Sequence, residues 1–230
     1  GIISLPAYFL TGMPAHVCYG TNKFSSACGT TLAAATYLKH GAINVKVAVI
    51  AAIGSFIGSN IGSHIVLLLD DKILKLMLIV CMPVIAVIIF VKKLGGDEDR
   101  SYLLGPVKIM IYGFLVGFFV GGYDGIFGPG TGTIAAIAFT AFMHFDLKTA
   151  TGNTKVLNLA SNVSALVTFW MAGTIDFRYA IPAGACNVIG ALIGSQMAVR
   201  KGSGFIRPVM ICVIVLLMGK VAYDLVTEVM

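Results

Sequence analysis

Two lysines in this chain stand where a cation is costly. Lys23 closes the tetrapeptide Gly20-Thr21-Asn22-Lys23, and Lys155 closes Gly152-Asn153-Thr154-Lys155. Each tetrapeptide opens a long apolar run. An ammonium group within a membrane-length segment faces a cavity or a partner. With asparagine and threonine beside it, the lysine sits among the donors that an anion site needs. The competing reading places each lysine at a helix start, with its amine reaching back to the interface. Recurrence of the whole cluster favours the functional reading.

A third stretch, Gly121-Gly122-Tyr123-Asp124-Gly125-Ile126-Phe127-Gly128-Pro129-Gly130-Thr131-Gly132-Thr133, holds six glycines, one proline and one acid. Backbone groups freed by glycine and proline find no water in hydrocarbon, so such a break is buried in protein or lines a wet cavity. The apolar run after it, 132–143, is short for a span, which takes roughly 20 residues. A half-helix starting beside Gly130 and Thr131 would aim unpaired N–H groups and its positive dipole end at that cavity. Broken helices of this kind hold anionic substrates in inverted-repeat transporters. A kink that serves packing alone is the alternative. Asp124 either carries a coupling proton or caps freed N–H groups. The stretch is not a phosphate-binding loop, because no lysine follows its glycines at the required spacing.

The elements that must position these residues are apolar helices. The chain is 58% hydrophobic and 11% charged, with a mean hydropathy of +0.94. A soluble domain carries about 25% charged residues. This composition defines an all-α polytopic integral membrane protein, with the lipid bilayer as its surroundings. Continuous apolar runs exclude an outer-membrane barrel, whose strands alternate. A net charge of +6 does not indicate nucleic acid, since the basic residues lie mostly between apolar runs, where they set orientation. Apolar segments are expected over 1–10, 20–38, 44–69, 73–91, 105–120, 132–143, 150–170, 177–199 and 204–226. No enzyme constellation, metal-ligand spacing or cofactor motif is present. Five cysteines form no CxxC pair, so buried reduced thiols are expected.

The chain also repeats itself. A shift of 132 residues places Gly20 on Gly152, Lys23 on Lys155, Thr36 on Thr168, Gly41 on Gly173 and Asn44 on Asp176. The same shift places Gly58 on Gly190, Gly62 on Gly194, Ser63 on Ser195 and Lys75 on Arg207. One constant offset indicates a duplication: a first repeat over 1–91, a polar linker over 92–104 and a second repeat over 105–230. Because Gly1 falls on Thr133, roughly thirty residues are expected to precede Gly1 and to supply the first glycine-rich break. If the repeats are inverted, Lys39, Lys46, Lys92, Lys93, Arg100, Arg200, Lys201 and Arg207 share one side, against Lys72, Lys75 and Arg178. A parallel arrangement splits these charges six against five. Positive residues collect on the cytoplasmic side, so the inverted arrangement is expected, with the linker inside; it requires an odd number of crossings per half, so the short 132–143 segment counts as one.

The helices opened by the two lysines carry a polar stripe. Asn22, Ser25 or Ser26, Gly29, Ala33 and Thr36 recur at steps of three and four, as do Thr154, Asn158, Ser161 or Asn162, Ala165 and Thr168. Close helix packing accounts for small and hydroxyl residues. Two amides, Asn158 and Asn162, require more partners than packing supplies. Gly54, Gly58 and Gly62, and likewise Gly190, Gly194 and Ala198, read as tight packing ridges.

Tyr123-Asp124-Gly125-Ile126-Phe127-Gly128-Pro129-Gly130-Thr131-Gly132 resembles the second-half motif of the TauE/SafE sulfite exporter family, also called the toluene-sulfonate uptake permease family. Gly20-Thr21-Asn22-Lys23, Thr151-Gly152-Asn153-Thr154-Lys155-Val156-Leu157-Asn158 and Ile206-Arg207-Pro208 look like that family too. The resemblance covers essentially the whole chain. It implies a bacterial-type inner-membrane carrier of small sulfur-containing anions such as sulfite, sulfonates or thiosulfate, with Lys23 and Lys155 as the two motif lysines. The residues expected to bind substrate are Asn22, Lys23, Asn153, Thr154, Lys155, Asn158, Gly130 and Thr131, with Asp124 for coupling. An anion channel, or a membrane assembly or sensor subunit, would be compatible with the same helices.

Overall fold

A computed structural model of the chain describes residues 4–74 and 98–202, with a few further positions in 76–80 and 204–219. Most of the segments expected over 73–91 and 204–226, the Lys75–Arg207 pairing, and 92–97 of the linker lie outside the described residues. Among the described residues all regular structure is helical. The elements are α1 (Ser4–Phe9), α2 (Ala15–Lys39), α3 (Val45–Leu68), a short 3₁₀ turn (Ser101–Leu103), α4 (Pro106–Ile126), α5 (Thr131–Met143), α6 (Leu147–Met171) and α7 (Phe177–Lys201).

Local chemistry sets most of the helix ends. Asn44, Asp146 and Asp176 cap α3, α6 and α7, each accepting from a backbone N–H of the first turn. Pro14 leaves α2 without such a cap. Asp71 takes that place from 56 residues away, accepting from Ala15 N at 3.0 Å and facing the His16 ring at 3.0 Å. The far ends of α2 and α6 close alike. Gly41 and Gly173 adopt left-handed backbone, with φ of +63° and +70°. Ala42 N then bonds Tyr37 O and Thr174 N bonds Phe169 O, both at 3.0 Å, satisfying carbonyls that the last turn leaves free.

These ends move two expected boundaries. The helices expected from 20 and 150 begin at Ala15 and Leu147, so Gly20–Lys23 and Gly152–Lys155 do not open them. Each lysine lies eight residues inside its helix, about two turns from the end. The glycine-rich break is also shorter than expected. α4 runs on through Gly121, Gly122 and Gly125 to Ile126, leaving Phe127–Gly130 as the only non-helical residues before α5. Asp124 therefore sits in the last turn of α4.

The packing is inverted relative to a soluble protein. α3, α4 and α7 direct Ile53, Phe56, Ile61, Ile111, Phe119, Ile181 and Ile193 outward, while Thr21, Asn22, Lys23, Ser55, Ser59, Asn153 and Ser161 are buried. Among the described residues these three helices are long and apolar enough to cross a membrane. α2 and α6, 25 residues each, reach about 37 Å at 1.5 Å per residue. They lie at the centre, where polar side chains can find partners. Hydroxyls join the helices: Ser55 Oγ donates to Leu157 O (2.9 Å), Ser59 Oγ to Ser161 O (2.8 Å) and Ser164 Oγ to Phe56 O (2.8 Å).

Helix pairs cross between the two halves. α3 packs on α6 and α7 packs on α2, while α2 and α6 pack on each other. Gly20 lies against Phe169, Thr30 against Asn162 and Gly152 against Tyr37, so α2 and α6 run antiparallel. Contacts come in pairs offset by 132. A Cβ on Gly20 would meet Thr174 O at 2.1 Å, and one on Gly152 would meet Ala42 O at 1.8 Å. Asn44 N donates to Asn153 Oδ1 (2.9 Å), and Asp176 N donates to Thr21 Oγ1 (3.0 Å).

One expected ridge is filled, and the glycines of the other have no neighbour among the described residues. A Cβ on Gly58 would stand 2.1 Å from Phe118 O, and one on Gly117 would stand 2.1 Å from Ala51 O. Backbones of α3 and α4 thus touch, as small residues permit in membranes. Gly190 and Gly194 have no described atom within 4 Å of a built Cβ. The cysteines also differ from expectation: Cys18 is buried, but Cys186 and Cys212 are exposed, and no disulfide joins any of the four described thiols.

Candidate functional site

Lys23 is 1% exposed and lies on the face of α2 that looks toward α4 and α6. Its ammonium has three N–H donors, and all three are used. They go to Asp124 Oδ2 at 2.7 Å, to the Asp124 carbonyl and to Asn162 Oδ1 at 3.3 Å. Snorkelling to an interface does not describe this side chain.

Asp124, 5% exposed, answers in kind. Thr131 Oγ1 donates to Oδ1 (2.8 Å), and Ser161 Oγ donates to Oδ2 (2.6 Å). Four helices thereby converge on one ion pair: α2 with Lys23, α4 with Asp124, α5 with Thr131 and α6 with Ser161. The last turn of α4 points Asp124 inward because Gly121 and Gly125 let that turn press onto Ser55 and Ser59 of α3.

The pair forms part of the wall of a cavity of about 570 Å³. Asn22, Ser26, Thr30, Gly130, Thr131, Gly132, Asn158, Asn162 and Asn187 line it as well. α5 starts at this wall. Gly130 has left-handed backbone, and no side chain caps the first turn of the helix, so its N–H end faces the cavity. At 13 residues, or about 20 Å, α5 does not cross a bilayer core of about 30 Å. Among the described residues, two polar atoms of the lining are buried without a partner: Asn158 Oδ1 and the Tyr8 hydroxyl. A cavity wall with unused polar groups is prepared for a polar occupant.

A second cavity of about 490 Å³ adjoins the first, sharing Ser26, Thr30, Gly130, Gly132 and Asn187. Lys155 lines it, with Thr133 and Thr151 and an apolar wall that includes Ala33, Ala136 and Ile206. Lys155 is half-buried. Among the described residues no acid pairs with it.

The expected site residues are thus sorted. Asn22, Lys23, Asp124, Gly130, Thr131 and Asn158 meet at the first cavity, and Lys155 at the second. Asn22 accepts from Ser4 Oγ at 2.6 Å. Asn153 and Thr154 line neither cavity. Asn153 Oδ1 holds the start of α3 through Asn44 N, and Thr154 Oγ1 donates to Ala150 O of its own helix at 2.8 Å. Asn187 was missed, although the single asparagine of the apolar α7 is a visible signal; Ser4 and Tyr8 carry no such mark. Among the described residues no group of side chains could hold a metal ion.

The class of protein follows from this arrangement. Apolar helices surround a polar interior, and a half-helix ends on a charged cavity, which defines a multi-pass membrane transporter. The sulfite exporter TauE/SafE family model matches residues 1–221, and the chain belongs to that family. It is 34% identical over 225 residues to a probable membrane transporter protein of Haemophilus influenzae, covering 97% of this chain and 87% of that protein. A probable membrane transporter protein of Sinorhizobium is 31% identical over 97% of this chain and 85% of its own length. The probable membrane transporter protein YfcA of Escherichia coli K12 is 29% identical over 97% and 82%. No solved structure matches the chain.

Proposed function

We propose that this transporter is a secondary carrier of small sulfur-containing anions, such as sulfite, sulfonates or thiosulfate, and works in the inner membrane. The family's description as sulfite exporters supports the substrate class. The observation that carries the reading is the uncapped N-terminal end of α5 facing a cavity that also holds Lys23, Asn22 and Asn158. Gly130 and Gly132 bring the backbone of that helix end to the cavity wall, Thr131 ties it to Asp124 through its hydroxyl, and Lys155 offers a second cation next door. Lysine acts as a point charge with no bidentate fork, so the amides and helix N–H groups set orientation. The reciprocal contacts and the antiparallel α2–α6 pair support inverted repeats over 1–91 and 105–230, which rock about the cavity for alternating access. No group in the site is assigned to bond-breaking chemistry.

The test is uptake of labelled sulfite, thiosulfate and methanesulfonate into proteoliposomes, beside Lys155→Ala. Saturable flux that collapses in the variant is expected. Flux that rises linearly with concentration at channel-like rates would replace the carrier with a pore. Silence for all three anions would remove the substrate class.

A further inference from the structure

We infer that Asp124 is the proton site of the carrier and that its proton exchanges with the transported anion for possession of Lys23. This deepens the anion-carrier reading and rests on it. The argument begins with occupancy. Every N–H of the Lys23 ammonium is already taken, two of them by Asp124. An anion entering the cavity gains this cation only if the Asp124 carboxylate releases it.

Charge decides how that release occurs. The pair is neutral as it stands, with side chains 2% and 7% exposed. Adding a monovalent anion alone would leave one uncompensated negative charge among apolar helices, which carries a heavy desolvation cost. Adding an anion and a proton together keeps the site neutral. The proton binds Asp124 Oδ2, the ion pair opens, and the ammonium turns its freed N–H to the anion. The protonated carboxyl then donates, and the Ser161 hydroxyl, 2.6 Å from Oδ2, rotates to accept because a hydroxyl can do either. Release of the anion reverses each change: the proton leaves and the ion pair closes.

The surroundings isolate this exchange. From α2 the charged group facing Asp124 is Lys23. From α5 and α6 the facing groups are the hydroxyls of Thr131 and Ser161, with the Asn162 amide behind Lys23. α3 presents the backbone of Gly62 and Ser59 to this turn, and its His64 is exposed with Nδ1 on Asn60 O. From α1 and α7, Tyr8 and Cys186 lie on the same cavity wall without a hydrogen bond to Asp124. Asp124 also lines the cavity itself, so a proton reaches it from the same side as the anion.

The test counts protons. Methanesulfonate and ethanesulfonate are monovalent and fully ionised near neutral pH, so any proton that moves with them is carried by the protein. Proteoliposomes holding the chain and an internal pH dye are given either anion, and labelled flux is compared with acidification. One proton per anion is expected, with flux falling about tenfold per pH unit where proton loading limits it, the slope of a single linked proton. Asp124→Asn is expected to carry anion without protons and with a flat pH profile. The wild-type count decides even if that variant fails to fold. Anion flux without protons in the wild type overturns this inference and leaves the carrier standing, as does a variant that still moves one proton per anion. Absence of flux for both sulfonates overturns this inference, and silence for sulfite and thiosulfate as well overturns the anion-carrier reading with it.

Discussion

Lys23 and Lys155 occupy the same register of two equally long helices, yet they meet different surroundings. Lys23 is locked into Asp124 and Asn162, while Lys155 is half-buried and faces no acid among the described residues. The ridges differ in the same sense. Gly58 is pressed onto the backbone of α4, and Gly190, its counterpart, has open space beside it among the described residues. α4 accounts for the Lys23 and Gly58 sides of these contrasts. It lays its glycines along α3 and delivers Asp124 to α2, so one helix sets the electrostatics of one lysine and the packing of one ridge. A duplicated residue inherits its position from its helix and its chemistry from its neighbours.

This contrast can be broken at several points. The largest effect is expected for Lys23→Met, which leaves the Asp124 carboxylate buried without its cation and costs about 3–5 kcal/mol. Thermal or denaturant unfolding of the detergent-solubilised protein reads this loss. Adding Asp124→Leu should recover most of it without restoring flux. An unchanged midpoint in the single variant would mean that the ion pair does not hold the bundle. Gly58→Ala comes next, at about 1–3 kcal/mol from forced separation of α3 and α4, whereas Gly190→Ala should stay within about 0.5 kcal/mol. Equal losses at the two glycines would erase the difference between the halves.

Caps give a smaller and symmetric effect. Asp71→Ala and Asp146→Ala should each cost about 1 kcal/mol, although one cap is remote and the other local. A negligible loss for Asp71→Ala would show that α2 needs no partner at its start. A small stability change is also expected for Lys155→Met, under about 1 kcal/mol, combined with loss of anion flux. A large drop in its unfolding midpoint would identify a structural partner for Lys155 instead.

Much of the architecture was legible because its causes are local. The 132-residue register appears in sequence and returns in paired helix ends, in left-handed Gly41 and Gly173, and in the reciprocal Asn153 and Thr21 contacts. The start of α2 was misplaced because its cap is Asp71, 56 residues away; a run of sequence holds no sign of that. Asp146 caps α6 locally, and the apolar pattern still placed the boundary three residues late. Gly121 and Gly125 read as a break because glycine is a weak helix former. Pressed against α3, they continue the helix, since packing outweighs a propensity of about 1 kcal/mol per residue.

The candidate site divides along the same line. The sequence alone determined that lysines, amides and a glycine-bearing turn share apolar helices, because a buried cation or freed backbone group there demands a partner. It pointed to a half-helix, because the run 132–143 is short for a span. Only the tertiary structure decided that Asp124 belongs to Lys23, 101 residues away, and that Asn153 and Thr154 turn to structural bonds while Asn158 keeps a free oxygen. Which groups meet depends on how α2, α4, α5 and α6 cross, and helix crossings arise from contacts between distant surfaces that no local pattern encodes.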